Sequence, residues 1–67
     1  MPNRTRLLKQ YEDVSDERDR LARTAAEYLL FGDTERALAT AKEYARATQR
    51  LSEISDKITK ARQEGTF

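Results

Sequence analysis

Apolar residues recur along the first half of this chain at alternating steps of four and three. The steps link Leu7, Tyr11, Val14, Leu21, Ala25 and Tyr28, with the basic Arg18 filling one place in the series. A second series runs through Ala37, Thr40, Tyr44, Ala47, Leu51, Ile54, Ile58 and Ala61. A mean step of about 3.5 residues keeps each series on one side of an α-helix, the heptad seam of coiled-coil packing. Between the two series stands "YLLFGD", residues 28–33, where four large apolar residues run into a Gly-Asp pair. The only other glycine is Gly65 and the only proline is Pro2. The pattern therefore predicts a helix over 4–31, a turn at 32–33 and a second helix over 34–64.

Local chemistry agrees with these limits. Asn3 or Thr5 can cap the first helix, and Gly32 suits the left-handed position that ends it. Asp33 or Thr34 can cap the second, and Gly65 suits its end. Each helix would be about 42–45 Å long at ~1.5 Å per residue. A turn this short makes the helices antiparallel neighbours. Folding at Gly32 sets Tyr28 near Ala37, Leu21 near Tyr44, Val14 near Leu51 and Leu7 near Ile58. It also brings Glu17 near Arg50, a surface pair worth roughly 0–1 kcal/mol that helps set register. Arg18 falls opposite Ala47. Its stem can pack while its head reaches water, or it can select pairing partner and register. The fold class is all-α, a single helical-hairpin domain spanning 1–67.

The two flanks of such a hairpin differ. One carries Gln10, Glu17, Glu43, Arg50 and Lys57. The other carries Leu38, Ala41, Ala45, Thr48, Ser52, Ser55 and Thr59 on the second helix, with Leu8, Ser15, Ala22 and Leu29 from the first. None of these is charged, although 37% of the chain is Asp, Glu, Lys or Arg. Small side chains let helix backbones approach closely, so this flank reads as a second packing surface. The simplest occupant is another copy, giving a homodimeric four-helix bundle. Leu30 and Phe31 point elsewhere at the tip. A second subunit can cover them, a different protein can bind them, or they can pack locally on Leu38. The interface candidates are thus Leu29, Leu30, Phe31, Leu38, Ala41, Ala45, Thr48, Ser52 and Ser55.

Composition narrows the function. Sixty-seven residues bury little surface alone. Cysteine and histidine are both absent, which removes disulfides, thiolate sites and the commonest metal ligand. Association is the remaining means of reinforcement. Without those residues and without a glycine-rich phosphate loop, no catalytic activity, metal or cofactor is expected. In "EDVSDERD", Asp13, Asp16, Glu17 and Asp19 crowd together, but Arg18 and Arg20 intervene, and a solvated, salt-bridged face is the expectation. Thirteen basic and twelve acidic residues leave a net charge of +1, too small to argue for nucleic acid by itself. Lys42, Arg46, Arg50, Lys57 and Lys60 nevertheless form a basic stripe on the second helix, broken by Glu53. No apolar run approaches the ~20 residues of a membrane span. The opening "MPNRTRLLKQ" is basic but lacks the apolar core of a secretory signal. A cytoplasmic location is expected.

The turn resembles a tetratricopeptide unit, a helix-turn-helix building block for protein binding. Leu21, Ala25, Tyr28, Gly32 and Ala37 carry the resemblance. Ala41 and Tyr44 depart from it, and no proline follows. The match covers about a third of the chain, with no second repeat to stack on. The architecture is also similar to the repressor-of-primer proteins of plasmids, dimeric antiparallel hairpins that bind paired RNA loops. That likeness is of shape and carries no residue across. The expected function is a small, non-enzymatic protein-interaction or regulatory module working through helical surfaces. The alternative is an RNA- or DNA-binding dimer using the basic stripe.

Overall fold

A computed structural model describes residues 2–65, with side chains from residue 4 onward. It contains two helices packed on each other, α1 (Pro2–Leu30) and α2 (Thr34–Gln63), and no strand among the described residues. The rod they form extends 49 × 15 × 11 Å. α1 begins two residues before the expected start, and both helices end one residue early. Pro2 opens α1, a position where its missing N–H costs no hydrogen bond. Asn3 and Thr5, expected as caps, lie inside the helix instead.

The turn is fixed by backbone geometry. Gly32 has φ +77°, the left-handed region that a side chain disfavours. Its N–H donates to the Leu29 carbonyl at 3.1 Å, and the Asp33 N–H donates to the Tyr28 carbonyl at 2.8 Å. These two bonds make a Schellman ending, which satisfies carbonyls that α1 would leave open. Asp33 then starts α2. Its carboxylate accepts from the Arg36 N–H at 3.2 Å, and its carbonyl accepts from the Ala37 N–H at 3.0 Å. The Arg36 guanidinium closes on the same carboxylate at 3.4 Å. Of the two candidate caps, Asp33 does the work. Glu35 in the first turn of α2, and Lys60 and Arg62 in its last, match the helix dipole.

The two seams meet as a narrow core. Val14, Ala47, Leu51 and Ile54 form its buried cluster, with Leu21 and Ile58 packed against them. Ala37 and Thr40 are buried nearer the turn. The Thr40 hydroxyl donates to the Arg36 carbonyl at 2.8 Å, so its burial leaves no polar group unpaired. Leu7, Ala25, Tyr28 and Ala61 are half-buried. Tyr11 and Tyr44, placed in the seams by spacing, lie at the solvent edge. Two helices enclose too little volume to surround a ring, and the phenol hydroxyl favours water. Arg18 is half-buried, and its head leaves the seam to reach Asp19 at 3.3 Å. Glu17 and Arg50 approach to 3.9 Å, in the register that folding at Gly32 anticipates.

Candidate interaction surfaces

The tip is the most apolar part of the exterior. Leu30 and Phe31 are 84% and 83% exposed, and Leu29 and Leu38 are 62% and 60% exposed. Such exposure rules out local packing of Leu30 and Phe31 on Leu38 within the hairpin. The reason is geometric. Successive helical residues diverge by about 100°, so Leu29, Leu30 and Phe31 fan around the end of α1. Leu29 sits beside the uncharged flank, Leu30 lies about 100° beyond it on the back of α1, in line with Arg23 and Asp16, and Phe31 lies a further 100° round, on the opposite side. No second layer exists within one chain to receive them.

Behind the tip, the uncharged flank runs the length of the rod. Ala41, Ala45, Thr48, Ser52, Ser55 and Thr59 are all exposed on α2, as are Leu8 and Ala22 on α1, while Ser15 is half-buried. The structure thus leaves all the expected interface residues exposed.

The opposite face is charged and mixed. Lys42, Arg46, Arg50, Lys57 and Lys60 are all exposed along α2. The stripe is interleaved with carboxylates from both helices. Arg46 and Arg50 border a shallow groove together with Glu17 and Glu43. Arg50 and Lys57 border a second with Asp13 and Glu53. At the open end, Lys57 and Lys60 share a third with Arg6, Gln10 and Glu64. Arg6 extends the stripe onto α1. Reading α2 alone misses it, although the register that pairs Leu7 with Ile58 was enough to find it.

Three of the four carboxylates in the acidic cluster of α1 lie near cations. Asp13 meets Lys9 at 4.0 Å, Asp19 meets Arg18 at 3.3 Å and Glu17 meets Arg50. Among the described residues no three carboxylates converge as a metal site would require. Among the described residues no helix is long and apolar enough to cross a membrane. Comparison with known proteins returns no match: no family model, no curated protein and no solved structure is significantly similar to the chain.

Proposed function

We propose that this chain is a small, non-enzymatic, cytoplasmic interaction module that regulates another protein by occupying a helical surface on it. In this reading two copies pair through the uncharged flank as a four-helix bundle. The observation that carries it is the tip, where four large apolar side chains stand largely in water beside a face free of charge. Contiguous exposed apolar surface of that kind marks interaction sites. A chain of 67 residues with neither cysteine nor histidine also has few other means of reinforcement. Because the tip residues fan outward, pairing on the flank covers the Leu29 and Leu30 side and leaves Phe31 facing away. Phe31 is then the anchor offered to a different protein, since large side chains dominate interface energetics.

Sedimentation equilibrium at micromolar concentration tests the pairing. The expected species is a dimer, and a stable, fully helical monomer would sink the reading. The second reading, a dimer that binds RNA or DNA, draws support from Arg6 joining Lys57 and Lys60 at the open end. Against it, Glu17, Glu43 and Glu53 interrupt the positive face. An electrophoretic shift that weakens steeply with salt, and is lost in an Arg46→Glu/Arg50→Glu variant, would select it.

A further inference from the structure

We infer that the second copy packs on the uncharged flank with both tips at the same end of the bundle. This rests on the dimer reading and adds the direction of pairing to it. The small residues of the flank do not decide the matter; the uneven placing of its large ones does.

The available area comes first. A stable interface takes about 800 Å² from each partner. The broad face of the rod, 49 × 15 Å, is on the order of that size, whereas its end, 15 × 11 Å, is several-fold too small. The copies must therefore lie side by side, and a two-fold axis allows two arrangements. Tips can coincide, with α1 facing α2 of the second copy, or tips can oppose, with like helices facing.

The leucines separate the two. With tips coincident, Leu29 and Leu30 lie level with Leu38 of the second copy, and Ala22 lies level with Ala45. The register follows from the Glu17–Arg50 contact and the turn. Leu29 and Leu38 from both copies then share one apolar layer, with Leu30 at its rim. With tips opposed, Leu29 and Leu30 come level with Arg4 of the second copy, and Leu38 with Thr59. At that open end Leu8 is the one large apolar residue on the flank among the described residues. The opposed arrangement therefore sets exposed leucines against a charged or hydroxylated surface, where little apolar area leaves water and polar groups are dehydrated without gain.

The absence of native cysteine makes single spin labels clean probes. Glu35→Cys near the tip and Gln63→Cys at the open end are exposed positions off the proposed interface. They stand about 42 Å apart along α2 at ~1.5 Å per residue. Each variant, nitroxide-labelled, is measured by pulsed dipolar spectroscopy at a concentration where sedimentation shows a dimer. Coincident tips give label-to-label distances under about 35 Å for both variants, from helix spacings of 8–10 Å plus the label arms. Opposed tips give about 45 Å or more for both, which overturns the direction while leaving the dimer standing. A monomer in sedimentation, with no dipolar coupling at either site, overturns the dimer and the direction together.

Discussion

Replacing Leu30 and Phe31 by serine, one at a time, separates the roles that the tip geometry gives them. In the isolated hairpin both side chains are more than four-fifths exposed. Neither change should alter the intrinsic stability of the fold by more than about 0.5 kcal/mol, the usual range for surface positions. The proposed dimer is different. If Leu30 is covered at the edge of the flank, each copy loses most of the burial of a leucine, roughly 1.5–2.5 kcal/mol. Two copies make that about 3–5 kcal/mol, a rise in dimer Kd of roughly 10²- to 4 × 10³-fold. Phe31 faces away from the flank, so Phe31→Ser should raise the same Kd by less than about 10-fold. Sedimentation equilibrium over a concentration series reads both constants, and far-UV circular dichroism at the same concentrations shows that the helices persist. Equal damage from the two variants would refute the division, because it would mean that a partner subunit wraps the whole tip. No change from either would remove the tip from the dimer altogether.

Other parts of the molecule make their own predictions. Leu51→Ala should destabilise the fold by about 2–5 kcal/mol, since it opens a cavity beside Val14 and Ala47 in the buried cluster; in a chain this small, thermal melting should show a largely unfolded protein. Gly32→Ala meets no neighbour within 4 Å, so its cost is conformational alone. At φ +77° that is about 1–2 kcal/mol, a fall in Tm of roughly 4–8 °C per kcal/mol; an unchanged Tm would contradict the strain argument.

Much of this architecture is legible in the spacing of apolar residues, because a two-helix rod has only one way to hide two heptad seams. Val14, Leu51 and Ile54 lie buried where the periodicity puts them, and Gly32 ends α1 through the conformation its lack of a side chain permits. Periodicity gives direction but not depth. Tyr11 and Tyr44 point along the seam, yet the gap between two helices is too shallow to enclose them. The start of α1 also escapes the sequence, since Asn3 and Thr5 carry capping chemistry but a helix admits both in its interior. The surfaces are less legible still. On α2 alone the basic stripe is broken by Glu53, and only the folded pair shows Glu17 and Asp13 of α1 reaching into it as well. The exposure of the tip follows from three consecutive large residues, which no single helix face can hold.

Asp33 belongs to both helices at once. Its N–H closes the end of α1, and its carboxylate and carbonyl open α2. The two helices therefore cannot fray separately at the turn, because releasing one end releases the other. At the far end Leu7, Ile58 and Ala61 are only half-buried. Opening is accordingly graded along the rod. Amide exchange should be slowest beside Ala37, Thr40 and the Val14 cluster and quicken towards the chain ends, as the least buried elements open first. Folding runs the same path in reverse. The turn brings Tyr28 and Ala37 together across a short loop, and each later pair closes on a neighbour already held, so the chain zips from its apolar tip.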